Sequence, residues 1–332
     1  MSLGFEQAGF AVMAAIDLWE DAIRTYNHNH PHHPAVCQDI CTWSDSFLDE
    51  LKNRGDIVGI IGGPPCQGFS SVGKRIADDP RNRLYQEYCR VVEHVQPAFF
   101  VLENVKGLLT LADGAFRDAV LRRFTSLGYA VQYRVLNAAD YGVPQNRQRV
   151  FFVGVKDGAS FSFDALAKTD HILSTSEAIS DLPALVADET ITAYTQPPQT
   201  PYEAEMRQNA KCLLNHQETK HSERTRKIIH AIPDGGHITD LPPAYWQVRK
   251  FNKAFERMSS HRPANTVDTG HRNYFHYKQD RIPSVRENAR LQSFPDTFEF
   301  LGSKTSQYKQ VGNAVPPRLA YAIAKELRKN FS

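Results

Sequence analysis

The run Asp56-Ile57-Val58-Gly59-Ile60-Ile61 leads straight into Gly62-Gly63-Pro64-Pro65-Cys66-Gln67-Gly68-Phe69-Ser70, and this junction constrains the fold more than any other stretch. A short apolar, β-branched run without polar alternation suits a strand buried on both faces, as in a parallel sheet. Two glycines and two prolines end it abruptly and delay any helix until well past the cysteine. Cys66 therefore belongs to a stiff turn at the C-terminal edge of a strand, where ligands and chemistry collect in open α/β sheets. An arbitrary cysteine in a tight turn is a small buried hydrophobe. Here the neighbours are polar and flexible, and a thiol at a strand end near cations can have its pKa lowered and act as a nucleophile.

The same rhythm recurs along the first half of the chain. Phe10–Ile16 reads as a strand ending at Asp17, followed by a helix with Glu20 and Asp21 near its start and Trp19, Ala22, Ile23 and Tyr26 at helical spacing. An acidic residue closing a strand is the usual partner of a ribose hydroxyl, and helix capping explains it equally well. Val36-Cys37 reads as another short strand before Asp39-Ile40. Residues 67–83 form a polar loop with Lys74, Arg75, Arg81 and Arg83, long enough to serve as a flap. Leu84, Tyr88, Val91, Val92 and Val95 mark a helix ended by Pro97.

Phe99-Phe100-Val101-Leu102 reads as a buried strand ending in Glu103-Asn104-Val105. A carboxylate ending an apolar strand is costly unless it faces a cleft or a partner, so Glu103 is a candidate acid/base, with a helix cap or salt bridge as the plainer alternative. Phe116, Val120, Leu121, Phe124 and Leu127 mark a further helix, closed by Gly128. Strands are expected over 130–136 and 150–155. Between them Arg147 and Arg149 alternate with polar residues, which predicts that both point to one face and suit an anionic or carbonyl-rich ligand.

Residues 156–260 lose this rhythm and read as a second, irregular domain entered through a helical linker near Ser176–Leu182. The rhythm returns at Gly312-Asn313-Ala314-Val315-Pro316-Pro317, which leads into a helix with Leu319, Ile323, Ala324 and Leu327 along one stripe. The net charge is only +2, but residues 200–262 hold eleven Lys/Arg against seven Asp/Glu, an excess of +4, consistent with a surface that tracks phosphates. The histidines and prolines of 28–34 fit no zinc spacing and read as a loop. Five cysteines form no Cys-x-x-Cys pair, and no run approaches the roughly 18 apolar residues of a membrane span, so the expected setting is a reducing cytoplasm without membrane attachment.

Six blocks resemble, in order, those of the bacterial DNA (cytosine-5) methyltransferases: Gly-Pro-Pro-Cys-Gln-Gly-Phe-Ser at 63–70, Glu-Asn-Val at 103–105, Gln-Asn-Arg-Gln-Arg at 145–149, Arg-Pro-Ala-Asn-Thr-Val at 262–267, Arg-Glu-Asn-Ala-Arg-Leu-Gln-Ser-Phe-Pro at 286–295 and Gln-Val-Gly-Asn-Ala-Val-Pro-Pro at 310–317. The resemblance implies an α/β fold: a Rossmann-like, S-adenosylmethionine-dependent sheet over 1–185, a smaller target-recognition domain over 186–262 and a return to the catalytic domain over 263–332. It implies a flipped cytosine in double-stranded DNA as substrate, S-adenosylmethionine as cofactor and no metal. Cys66 would attack C6, which makes C5 nucleophilic enough to take a methyl group. Glu103 would hold the N3 edge, and Arg149, with Arg147 beside it, the cytosine O2. Asp17 and Leu18, Asp39 and Ile40, Pro64, Asn313 and Val315 would line the cofactor cleft. Gln67, Ser70, Lys74 and Arg75 of the flap, and Arg249 and Lys250 of the irregular region, would contact DNA. The implied setting is bacterial restriction–modification or a phage, the protein a monomer with a cognate restriction endonuclease encoded nearby.

The family pattern begins with a strand and a Phe-x-Gly-x-Gly-Gly loop upstream of a segment like Ser2–Phe10. The expectation is that Met1 corresponds to an internal methionine of that pattern, with a weakened, unoccupied cofactor cleft in this form. Two other functions share the motifs. One is tRNA cytosine-5 methylation, whose Cys-Phe-Thr signature is absent from 186–262; the other is a truncated, inactive form that binds DNA through its recognition domain.

Overall fold

The computed structural model describes residues 1–65, 83–185, 190–246, 255–270 and 274–331. Two compact units divide the chain, one of 1–137, 148–167 and 320–332, the other of 138–147 and 168–319. These units cut the chain differently from the three sequence segments, because 168–185 and 263–319 cluster with the irregular region rather than with the sheet.

The first unit carries α1 (Ser2–Gln7), β1 (Ile16–Asp17), α2 (Glu20–Asn29), β2 (Val36–Cys37), α3 (Asp45–Asn53), β3 (Gly59–Gly62), α4 (Arg83–Val95), β4 (Phe99–Val105), α5 (Ala115–Ser126) and β5 (Ala130–Asn137). After the two-residue β6 (Gln145–Asn146) of the second unit, β7 (Gln148–Val155) returns to the first. The main sheet runs β3-β4-β7-β5, with β3 parallel to β4 and β7 antiparallel to both its neighbours. Its strands are fully covered at the centre: Phe100, Val101, Leu102, Val150, Phe151 and Phe152 have no measurable exposure. Phe100, Leu102, Val150 and Phe152 pack with Tyr88 and Val92 of α4 and Phe116, Val120 and Phe124 of α5, each such burial stabilising by about 1.5–3 kcal/mol. Period-2 alternation turns Phe99, Val101 and Glu103 to the opposite face, where the Phe99 ring meets Phe5, Phe10 and Phe331.

Most expected elements are present, with one correction. The strand expected over Phe10–Ile16 shrinks to Ile16–Asp17, paired in parallel with Val36–Cys37 alone among the described residues; neighbouring Met13 is 43% exposed, so this segment lacks the two-sided cover that holds β4. The β4 strand ends in Glu103, Asn104 and Val105 as expected, and these are paired with Phe151, Val150 and Arg149 of β7.

The second unit contains α6 (Thr175–Ile179), α7 (Pro201–Met206), α8 (Glu223–Ala231), α9 (Pro243–Trp246), β8 (Glu256–Arg257), β9 (Ala264–Asn265), β10 (Tyr274–Phe275), α10 (Val285–Leu291) and α11 (Lys304–Asn313); α12 (Pro317–Arg328) begins here and ends in the first unit. Its core is unusually ionic. Arg290 lies between Asp181 (2.8 Å) and Asp296 (2.7 Å), all three without exposure, and Arg281 holds Glu287 through two 2.7 Å hydrogen bonds. On α12, Leu319, Ile323, Ala324 and Leu327 are buried as the stripe predicts.

Candidate active site

β3 ends at Gly62, and Gly63-Pro64-Pro65 follow without regular structure, as the proline run requires. Cys66 itself, with Gln67, Ser70, Lys74 and Arg75, lies outside the described residues. That turn is pinned to β4: the Asn104 side-chain amide donates to the Pro64 carbonyl at 3.0 Å. Gly63 lies against Glu103, where a Cβ would stand 2.8 Å from the carboxylate Oε2, closer than any side chain tolerates. On the other side of β4, the Tyr88 hydroxyl donates to the carbonyls of Ile60 (3.3 Å) and Val101 (3.0 Å), tying α4 to β3 and β4.

Glu103 and Arg149 occupy one face of the sheet as diagonal neighbours, because Glu103 pairs with Phe151 and side chains two residues apart share a face. Arg149 Nε lies 3.1 Å from Glu103 Oε1, and both side chains are largely covered. Burial pushes the Arg149 guanidinium down, and the Glu103 charge partly offsets this. Lys106 extends this edge and donates to the Gln148 side-chain carbonyl at 2.6 Å.

Arg147 does not join this pair. The β-structure breaks between Asn146 and Gln148, so the alternation that predicted a shared face is interrupted. Its guanidinium is buried in the second unit and donates to the Gly312 carbonyl at 2.9 Å. Arg147 is one of several motif residues that join blocks to one another there. Buried Gln145 donates to the Leu291 carbonyl and to Gln292 Oε1, both at 3.0 Å, and accepts from the Val267 amide at 3.0 Å. Gln292 donates in turn to the Val311 carbonyl at 2.7 Å. A Cβ on Gly312 would meet the Asp268 carbonyl at 2.7 Å, so that position admits only glycine against block 262–268. Gly63, Asn104, Gln145 and Gln292 were given no role by sequence reasoning; the only signal was their place inside the blocks.

The expected cofactor residues fall into both units. Asp17 ends β1 with an exposed carboxylate that accepts from the Trp19 amide at 2.9 Å, so it shapes the turn ahead of α2 while keeping acceptor capacity. Leu18 beside it is 58% exposed. Asp39 follows β2 and caps the turn Ile40–Thr42 by accepting from the Cys41 amide at 2.9 Å, a bond that holds its carboxyl below the ordinary range. Asp17 pairs with Cys37 in the β1–β2 register, so the two carboxylates stand at adjacent strand ends. Two acceptor carboxylates and one exposed apolar side chain suit a nucleoside, with hydroxyls to bind and a base to cover. In the second unit Asn313 is exposed at the end of α11 and Val315 is buried in the turn before α12. Arg249 and Lys250 lie outside the described residues. In the 28–34 segment, His30 Nδ1 lies 2.7 Å from Glu6 and the ring stacks on Tyr26. Among the described residues no group of three or more potential ligands could hold a metal, and no helix is long and apolar enough to cross a membrane.

Residues 1–329 match the family model of the C-5 cytosine-specific DNA methylases. The chain belongs to this family. The methylase is 40% identical over 331 residues to the type II methyltransferase M1.HphI of Haemophilus parahaemolyticus, covering 99% of this chain and 83% of that protein. It is 37% identical over 362 residues to M.DdeI of Desulfomicrobium norvegicum, with 99% and 86% covered. Among solved structures, the methylase is similar to a protein described as a DNA modification methyltransferase encoded within an E. coli prophage (TM-score 0.82, 27% identity, 99% and 95% covered). The S. pombe Dnmt2 methyltransferase shares the fold alone, with a TM-score of 0.63 at 18% identity over 100% and 96% of the two chains.

Proposed function

We propose that this methylase belongs to a type II restriction–modification system and methylates C5 of a cytosine flipped out of duplex DNA, through a transient Cys66 adduct. The observation that carries the reading is the Glu103–Arg149 pair, 3.1 Å apart and lying against the Gly63-Pro64 turn that leads to Cys66, in a chain that matches the methylase family over 1–329. The Cys66 thiolate adds to C6, and Glu103 at the N3 edge, as an acid, neutralises the charge that builds up during attack. Arg149 holds O2 and favours the thiolate, and its partial burial strengthens both effects. S-adenosylmethionine supplies the methyl group; Asp17, Leu18, Asp39, Ile40 and Pro64 would hold it. A base then removes the C5 proton, and Cys66 is eliminated as C5–C6 unsaturation is restored. Arg147, committed to the Gly312 carbonyl, serves as a positioning residue for the block at 310–317. The segment 186–262 provides target recognition.

The deciding experiment measures methyl transfer from labelled S-adenosylmethionine to unmethylated plasmid DNA and to tRNA, with Cys66→Ser as control. Transfer to duplex DNA alone, lost in Cys66→Ser, is expected. Transfer to tRNA alone would sink the substrate assignment, and an active Cys66→Ser variant would sink the covalent route. Bisulfite sequencing of the methylated DNA then gives the target site.

A further inference from the structure

The turn Ile40–Thr42, which follows β2 and carries Asp39 at its head, is braced both from within and from outside. Within it, the Thr42 amide donates to the Asp39 carbonyl at 2.9 Å and the Trp43 amide to the Ile40 carbonyl at 3.1 Å. The Thr42 hydroxyl adds a second bond to the Asp39 carbonyl at 2.7 Å. The Gln38 side chain donates to Thr42 at 2.9 Å and accepts from the Trp43 indole at 3.3 Å. The outer brace comes from α4, 47 residues further on: Arg90 donates to the Trp43 carbonyl at 2.6 Å, at the point where the turn ends.

Two carboxylates aim the same guanidinium. Glu87, one turn earlier on α4, lies 2.7 Å from its Nε, and Asp45 at the start of α3 lies 3.0 Å from a terminal nitrogen. A planar fork held at two of its corners has little freedom left at the third, the one that meets the carbonyl. Beside this clamp the Trp43 ring is buried with Val91 and Val95 of α4 and Leu48 and Leu51 of α3, and Ile16 of β1 and Ile40 pack against that cluster. Asp17 follows Ile16 and Asp39 precedes Ile40. Both carboxylates therefore stand next to residues seated on one cluster, and Arg90 ties the Asp39 side of it to α4. Without Arg90 the Trp43 carbonyl loses that donor, and the turn keeps only its internal bonds.

We propose that Arg90 is a positioning residue for the cofactor, holding the Asp39–Ile40 turn at the spacing from Asp17 that a nucleoside spans. This rests on the reading of Asp17 and Asp39 as cofactor-binding residues and deepens it. The test compares Arg90→Met, Arg90→Lys and Asp45→Asn with the wild-type chain. It measures the Kd of S-adenosylmethionine, the urea midpoint, and kcat at saturating cofactor on a duplex carrying the site mapped by bisulfite sequencing. Arg90→Met keeps an apolar stem against the helix and removes every donor. The Kd is expected to rise about tenfold, the lower part of the range for a hydrogen bond made by a charged group, with saturated kcat within about twofold of the wild type. Arg90→Lys keeps the charge and loses the fork, so a rise of about threefold is expected. Asp45→Asn removes only an exposed ion-pair partner and should leave the Kd within about twofold. A lower urea midpoint in Arg90→Met with an unchanged Kd would mean that Arg90 merely braces α4 against α3, and overturns the assignment. A fall in saturated kcat as large as the loss of affinity overturns it too. Where Arg90→Met does not fold, Arg90→Lys decides, and an unchanged Kd there has the same consequence. A wild-type chain that binds no S-adenosylmethionine would instead remove the cofactor reading itself, and this assignment with it.

Discussion

At Gly63 the requirement is for the absence of a side chain. A methyl group there would lie 2.8 Å from the Glu103 carboxylate, and the carboxylate, not the sheet, would have to move. Gly63→Ala should therefore lower kcat by roughly 100-fold, the loss that a displacement near 1 Å can cause, while thermal stability changes little. Loss of folded protein in place of loss of turnover would refute the argument. Glu103→Gln keeps the volume and removes the acid; kcat should fall by about 10²–10⁴, the contribution of a positioned acid or base, with cofactor affinity unchanged. Its neighbour supplies the contrast. Arg149→Lys retains the charge and loses the planar fork, which matters wherever a guanidinium meets a carboxylate and a carbonyl at once.

Elements are held here by close approaches that leave no room for a Cβ. On β7, a methyl at Gly154 would stand 2.1 Å from the ring of Phe100, which is itself packed 4.0 Å from Phe124 between ring centroids. Gly154→Ala should cost about 1–3 kcal/mol by overpacking, seen as a lower urea midpoint with kcat per folded molecule unchanged; an unaltered midpoint would show that the sheet yields at no cost. The elements themselves were largely legible. Apolar runs such as Phe99–Leu102 and helical stripes such as Leu84–Val95 carry their own period. The pairings were not legible. Nothing in Gln145-Asn146-Arg147-Gln148-Arg149 announces that the ladder breaks between Asn146 and Gln148, sending one arginine to Gly312 and the other to Glu103. That outcome depends on β9 joining Gln145–Asn146 in parallel from 119 residues further on, and a local pattern cannot show a partner so distant. The same holds for Gly63, whose need for glycine comes from a strand forty residues away.

At the scale of the whole molecule, the second unit depends on charge pairs as well as apolar burial, and this makes its stability sensitive to acid. Removing one partner exposes the dependence: Arg290→Met leaves Asp181 and Asp296 without their shared guanidinium and should cost about 3–5 kcal/mol, as for other broken buried pairs. Protons act on the same core. Burial pushes His276 down to about 3, and although Glu287 pulls it up, Arg281, Arg257 and His216 reinforce the depression; burial likewise lowers His216. Burial alone would raise Glu287, but the charge and hydrogen bonds of Arg281 outweigh it and hold this carboxyl well below the usual range. The signs agree. Unfolded histidine takes up a proton near pH 6.5 that the folded core refuses, and unfolded glutamate takes one up near pH 4.3. In both cases the unfolded state binds more protons, so stability is complete above about pH 6.5 and falls with pH. The urea midpoint should therefore be level near neutrality, decline below about pH 6.5 at up to about 1.4 kcal/mol per pH unit for each histidine, and steepen below about 4.3 as Glu287 joins. His276→Gln should remove its share of the first limb, leaving the part due to His216, and leave the second. A midpoint that stays constant from pH 7 to pH 5 in the wild-type chain would mean that the buried histidines carry their protons in the folded state, and that the polar core of this unit is wetter than its packing implies.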